Sequence, residues 1–396
     1  MGCYKNLLQK TFEGKIFNLI HEKIMIFLFK VLHCLKINDR KIVFSSFRGM
    51  GFCDSPKYIY LEMDRRNLDF EYVWIAKNVY INQFPKNITV VPYNSLRAIK
   101  ELATAHIWID NCRKEVYVRK RRGQLYINTW HNGMSLKRVE RAAETSLSKG
   151  YLKRAKNDSK MVDVFLSNSQ FSTNRYKKYF WYNGTILETG LPRNDILFKD
   201  TTIVKNNVKK YFNIAQSKKI LLYAPTFRKN FNMDKYVYDF DIIIDSISKK
   251  FGGEWIVLFH LHPNVAEEVL PISKYSEKII NATFYPDFQE LIVASDILIT
   301  DYSSVMFEFS IIQKPVFLLM TDIDEYIKDR NFAMPLESLP YSKNTTIEEM
   351  IDNITRFNTK DYYRKIKKFF CTNIFFEEGH ASENIVNFIE RMVDIQ

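Results

Sequence analysis

Cysteine is scarce: five in 396 residues, at positions 3, 34, 53, 112 and 371, with no CxxC pair and no metal-ligand spacing. That excludes a disulfide framework and reads as reduced thiols in a cytosolic compartment. Long apolar runs are missing too. The longest, IMIFLF at 24–29, is far short of the ~20 residues that span a bilayer. No apolar core with a small-residue cleavage site opens the chain, so no secretory signal is expected. A GxxxxGK[ST] loop is absent, which argues against a P-loop ATPase, and without HExxH or GxSxG the commonest zinc-protease and hydrolase signatures fall away. RGMGFCD at 48–54 has GxG after a strand but no third glycine, a weak case for dinucleotide binding. Only 12 glycines and 11 prolines accompany a 46% hydrophobic composition, which argues against disorder.

Positive charge, in contrast, is plentiful and uneven. Through residue 160 there are 30 Lys+Arg against 14 Asp+Glu; the remainder has 28 against 31, within a net charge of +13. The first part should therefore meet a polyanion or an anionic surface, such as a nucleic acid, an anionic membrane or a phosphorylated acceptor. Residues 13–36 form an interrupted apolar helix. Lys15, Glu22, Lys23, Lys30, His33 and Lys36 share one arc, and Phe17, Ile20, Ile24, Phe27, Leu28, Val31 and Leu35 take the rest. Such a helix either lies in a membrane interface or packs in a domain core.

At this length two domains are expected. Short, continuously apolar runs alternate with helical patterns. KIVFSSF, EYVWIA, ITVVPY, HIWID, LYINTW, VFLSNS and TILETG read as strands in the first part. KKILLYAPT, EWIVLFHLHP, KIINATF, DILIT and KPVFLL follow in the second. Strands apolar on both faces belong to parallel sheets covered by helices, so the expectation is two doubly wound Rossmann-like α/β domains. The division expected is a membrane-associating segment 1–38, a first domain 39–200, a second 201–380, and a packing helix 381–396. The boundary falls in the polar stretch around 199–207.

Ligands of such sheets bind at the carboxyl ends of the strands, where this chain keeps its polar oddities. TDYSSVMFEF at 300–309 runs from a buried strand through Asp301, Ser303 and Ser304 into a helix. Two hydroxyls there suit either a phosphate or an ordinary N-cap. LFHLHPNV at 258–265 sets His260 and His262 on one strand face, as hydrogen-bond donors or structural caps; no third ligand makes them a metal site. YAPTFRK at 223–229 adds Thr226, Arg228 and Lys229, and TGLPRND at 189–195 adds Arg193 and Asp195. INTWHNGMSLKR at 127–138 ends a strand in Trp130-His131, with Asn132-Gly133 permitting a turn and Lys137 and Arg138 beyond. A histidine in that setting is a candidate general base beside the structural alternative.

Together FSSFRGMGFCDSPKYIY (44–60), TWHNGMSLKR (129–138), FLSNSQFSTNRY (165–176), ETGLPRNDIL (188–197), LLYAPTFR (221–228), HLHP (260–263) and ASDILITDYSSVMFEFSIIQKPVF (294–317) resemble the CDP-glycerol glycerophosphotransferase family. The resemblance spans roughly residues 40 to 390. It implies a GT-B-like pair of domains facing a cleft and transfer of a polyol phosphate, glycerol phosphate above all, from a CDP-polyol to a hydroxyl of a lipid-linked acceptor, with CMP released. By motif, His131 resembles the base that activates the acceptor, and His262 assists at the leaving phosphate. Thr226, Arg228, His262, Asp301, Ser303 and Ser304 resemble donor-holding groups, joined by Arg193 and Asp195; Lys137 and Arg138 are expected at the acceptor's anion. Asn132 stands where members usually carry glycine. No cofactor or metal is expected, since no Asp-x-Asp cluster ends a strand. The resemblance also favours peripheral attachment at the cytoplasmic face of a bacterial plasma membrane. Two other readings stay open, a GT-B transferase using a CMP- or other nucleotide-sugar and a basic nucleic-acid-binding protein, although RKEVYVRKRRG at 113–123 is one cluster without a binding module.

Overall fold

The computed structural model describes residues 20, 22–226, 238–261, 276–330 and 332–394. His262, Arg228 and Lys229 lie outside them, as does most of the segment before residue 22.

Seven strands make the first sheet: β1 (Asn38–Ser45), β2 (Glu71–Ala76), β3 (Thr89–Pro92), β4 (Ala105–Asp110), β5 (Leu125–Asn128), β6 (Val164–Leu166) and β7 (Thr185–Leu187). Six make the second: β8 (Lys219–Tyr223), β9 (Trp255–Phe259), β10 (Ile279–Asn281), β11 (Ile297–Thr300), β12 (Val316–Leu319) and β13 (Ser342–Asn344). Their orders are β3-β2-β1-β4-β5-β6-β7 and β10-β9-β8-β11-β12-β13. Every pairing is parallel, for example Val43 beside Val73 and Trp108, and Leu222 beside Leu258 and Leu298. Both orders run out from an inner strand and reverse, so each sheet has a switch point, between β1 and β4 and between β8 and β11.

Helices cover both sheets. They are α1 (residues 22–32), α2 (Asp54–Arg65), α3 (Leu96–Thr104), α4 (Lys149–Ser159), α5 (Gln170–Tyr179) and α6 (Thr202–Tyr211). Beyond them come α7 (Phe240–Phe251), α8 (Phe288–Ala294), α9 (Val305–Ile311), α10 (Ile323–Arg330), α11 (Ile347–Thr355), α12 (Thr359–Asn373) and α13 (Ala381–Asp394). Continuous apolarity of the strands follows from this covering: all six residues of β4 and all five of β9 are buried. The chain does not end on the second lobe. Ile385, Val386 and Ile389 of α13 are fully buried against Ile59, Tyr60 and Met63 of α2 in the first lobe. Each such aliphatic side chain contributes roughly 1.5–3 kcal/mol by burial, so α13 ties the two ends of the chain together.

Helix α1 divides its apolar residues between two surroundings. Met25 and Phe29 are buried in the first-lobe core beside Val118 and Tyr126. Ile20, Ile24, Phe27, Val31 and Leu35 stay exposed, Phe27 by 64%. Core packing therefore accounts for one edge of the helix and leaves an apolar stripe along the other. No helix among the described residues is long and apolar enough to cross a membrane.

Candidate active site

The loop after β5 presents His131 at the carboxyl end of the first sheet. Asn128 starts it: its Oδ1 accepts the Trp130 N–H at 2.9 Å, while Thr129 N–H bonds back to Asp110 O at 2.8 Å. Trp130 is held at φ 52°, a left-handed conformation uncommon for a bulky residue. Its ring stacks on the His131 imidazole with centroids 4.6 Å apart, and Phe47 from the β1 loop closes the other side at 5.7 Å.

The His131 Nδ1 lies 2.8 Å from the carbonyl oxygen of Asn111, just past β4. A carbonyl can only accept, so Nδ1 carries the proton and, in the neutral ring, Nε2 keeps its lone pair. Burial pushes the imidazole pKa below its ordinary value; Asp54 opposes that, and Arg193 and Arg175 add to it. The result is a neutral histidine with its basic nitrogen facing away from the strand ends that fix it, which is what a general base requires.

Arg193 joins this loop to the second lobe. Its Nη1 donates to His131 O at 2.9 Å and to Asp54 Oδ2 at 2.7 Å, while Nη2 pairs with Glu308 of α9. Gln289 of α8 donates to the other Glu308 oxygen at 2.8 Å and to Asn194 Oδ1 at 2.7 Å. All these side chains are buried. Arg193, expected at the donor, forms a two-carboxylate clamp between lobes in this structure. Asp195, also expected at the donor, binds the start of α13. Its two oxygens accept the N–H groups of Ala381 and Ser382 at 2.9 and 2.7 Å, fixing the start of α13.

On the second lobe, Asp301 and Thr226 meet across the β8/β11 switch point. Asp301 Oδ1 accepts the N–H of Thr226 at 2.8 Å and that of Tyr302, so the carboxylate knits the two strand ends. Tyr302 stacks on Tyr326 at 3.8 Å and donates to Asp322. Ser303 and Ser304 follow, both partly exposed, and the Ser304 side chain makes no capping bond to α9. Its hydroxyl is therefore not committed to the helix. His260 rests against Phe288 at 4.5 Å.

Lys137 and Arg138, expected at the acceptor, lie on a strap between lobes. Arg138 Nε donates to Phe332 O at 3.1 Å, Lys137 pairs with Phe332 as a β-bridge, and its ammonium sits 5.7 Å from the Tyr326 ring centre. Leu136 O accepts the Ala333 N–H at 2.7 Å. A second link joins Lys57 to Asp287 at 2.6 Å and Glu290 at 3.3 Å, with Tyr58 also donating to Asp287. Asn111, Asp54, Lys57, Arg175, Asp287 and Glu308 escaped the reading of the sequence. Only Asp54 and Lys57 carried a signal, as polar residues after the glycine-bearing β1 loop. A cavity of about 30 Å³ beside Ser45, Arg48 and Lys114 has room for water and not for a nucleotide.

Two parallel α/β lobes, each with polar loops at its switch point and a histidine on one side, define a GT-B-like architecture. The sequence profile described as CDP-Glycerol:Poly(glycerophosphate) glycerophosphotransferase matches residues 27–391, and the chain belongs to that family. It is 32% identical over 376 residues to a teichoic acid poly(glycerol phosphate) polymerase of Staphylococcus epidermidis, covering 91% of this chain and 52% of that protein. A polymerase of the same kind from Bacillus subtilis is 30% identical over 373 residues, covering 91% and 50%. The chain thus spans about half the length of these curated relatives. Among solved structures, the wall teichoic acid polymerase TagF, in a histidine-to-asparagine variant soaked with CDPG, superposes with a TM-score of 0.83 at 30% identity, covering 99% of this chain and 98% of that one.

Proposed function

We propose that this chain transfers glycerol phosphate from CDP-glycerol to a hydroxyl of a growing or lipid-linked polymer acceptor. The observation that carries the reading is the His131 tautomer: Nδ1 bonded to Asn111 O, Nε2 left to take a proton, in the loop that Arg193 joins to α9. Family membership supplies the donor class, and the TagF structure soaked with CDPG supports CDP-glycerol as its member.

In this mechanism the donor diphosphate lies against Ser303, Ser304 and Thr226, and His262 and Arg228 keep the roles that their motifs imply. Asp301 holds the Thr226 and Tyr302 backbone in place. The acceptor oxygen attacks the phosphorus that bears glycerol. Its proton passes to His131 Nε2, the bond from that phosphorus to the bridging oxygen breaks, and CMP leaves with the bridging oxygen. His262 and Arg228 offset the charge gathering on the departing phosphate. No cofactor takes part. Lys137 and Arg138 adjoin the acceptor path as part of the interlobe strap.

Attachment to the cytoplasmic face of the plasma membrane belongs to the same reading. The exposed stripe Ile20, Ile24, Phe27, Val31 and Leu35, with Lys23 and Lys30 exposed alongside, suits the interface of an anionic bilayer.

The test is incubation of the protein with CDP-glycerol, CDP-ribitol or a CMP-sugar and a lipid-linked acceptor, following CMP release and product length. CMP release from CDP-glycerol with acceptor extension supports the reading. Turnover of the CMP-sugar alone, or of none, overturns it.

A further inference from the structure

Two buried arginines hold three consecutive peptide carbonyls at the base-bearing loop. Arg193 Nη1 takes His131 O at 2.9 Å, and Arg175 Nη2, from α5, takes Asn132 O at 2.8 Å and Gly133 O at 2.6 Å. No peptide bond here is cis. In a planar trans peptide the N–H of the following residue points opposite to the carbonyl. Because the Asn132 and Gly133 carbonyls converge on one nitrogen, the N–H groups of Gly133 and Met134 both point away from Arg175, side by side.

Neither N–H meets an acceptor among the described residues, although Gly133 is buried and Met134 is 1% exposed. A buried peptide N–H without a partner is rare, and two in succession are rarer. Glycine is required at 133 because a Cβ there would come within 2.3 Å of Asn168 Nδ2. Met134 and Leu136 belong to the core of the other lobe, in one cluster with Tyr302 and Met306. The two donors thus adjoin the second-lobe core, two and three residues along the chain from His131. Arg175 itself has no carboxylate partner among the described residues, its Nε and Nη1 make no hydrogen bond, and aromatic rings of Phe171, Tyr176 and Phe180 pack around it.

We propose that the N–H groups of Gly133 and Met134 form a two-donor cradle for a non-bridging oxygen of the transferring phosphoryl group, with Arg175 as the positioning residue that turns them toward it. This rests on the transferase reading above. Charge on the non-bridging oxygens must be met in the transition state, and donors fixed beforehand meet it without reorganisation. The Arg175 charge adds a positive field behind the loop.

Labelling the full chain with ¹⁵N-glycine and ¹⁵N-methionine gives 12 glycine and 11 methionine amide signals, Met1 having no amide, with Gly133 and Met134 assigned by sequential backbone connectivity. CDP-glycerol, added without acceptor, should move the Gly133 and Met134 amide protons downfield. If it moves other signals and leaves these two in place, the cradle is wrong and the transferase reading stands. If it moves none at saturation, the transferase reading fails and the cradle with it. Independently, Arg175→Gln should lower kcat by roughly 10–100-fold with little change in KM for CDP-glycerol, and Arg175→Lys, which can still donate to both carbonyls, should recover part of that loss. A folded Arg175→Gln protein with unchanged kcat overturns the proposal.

Discussion

Arg193 and Glu308 form a buried ion pair between the loop that follows β7 and helix α9, and the same guanidinium bonds to the carbonyl of His131. One side chain therefore sets the distance between the imidazole and the segment that begins with Ser303. Arg193→Met leaves Asp54 and Glu308 buried without their cation, at a cost of about 3–5 kcal/mol. The expected outcome is a large drop in thermal midpoint together with loss of turnover. Arg193→Lys keeps the charge without the fork and should recover stability more than kcat. Calorimetry and CMP release on the same preparations check both.

The His131 ring should set the acid limb of the pH profile. Because burial lowers its pKa from 6.5, kcat/KM should hold up below pH 6.5 and fall only as pH drops through the lowered folded value. The linkage has the same direction: the unfolded chain takes up the proton first, so this group costs stability as pH falls from about 6.5 toward that lower value. An acid-limb midpoint well above 6.5 contradicts the assignment.

Glu377 makes an opposite contribution. It is partly buried where the chain crosses back to α13, accepting from Asn194 Nδ2 at 2.7 Å and Leu191 N–H at 3.1 Å, and desolvation pushes its pKa up to about 8. A raised carboxyl favours folding fully below its unfolded value near 4.5, and that advantage is lost as pH rises through about 8. Glu377→Gln cannot ionise. Its thermal midpoint relative to the native chain should therefore rise from about pH 4.5 and level off above about pH 8, and a difference that is flat between those values refutes the reading.

Vesicle binding tests the exposed stripe of α1. Ile24 and Phe27 are 52% and 64% exposed, so Ile24→Glu with Phe27→Glu should leave the thermal midpoint within about 1 kcal/mol of native stability. Co-sedimentation with anionic vesicles should fall at least several-fold. Unchanged sedimentation removes α1 from the membrane account.

The strands were readable because burial on both faces left continuous apolar runs such as HIWID and DILIT. β13 was not, because its three residues, Ser342–Asn344, are polar and sit at the edge of the sheet. His131, Thr226, Asp301 and the two serines were visible as polar residues at strand ends. Their division of labour was not. That Asp301 serves backbone N–H groups, and that Asp195 fixes α13 some 186 positions away, depends on chain returns that no local spacing encodes. The Arg193 clamp was hidden for the same reason: both of its carboxylates come from distant segments, at Asp54 and Glu308. Arg175 was given no role from the sequence, and only folding shows that its guanidinium is turned to the carbonyls of Asn132 and Gly133.

The central claim is that His131 takes the acceptor's proton, and paired measurements on His131→Ala test it most directly. CDP-glycerol affinity by calorimetry should be nearly unchanged, while turnover at saturating donor and acceptor falls by ~10²–10⁴. A variant that no longer binds CDP-glycerol yet keeps its turnover at saturation would contradict the account.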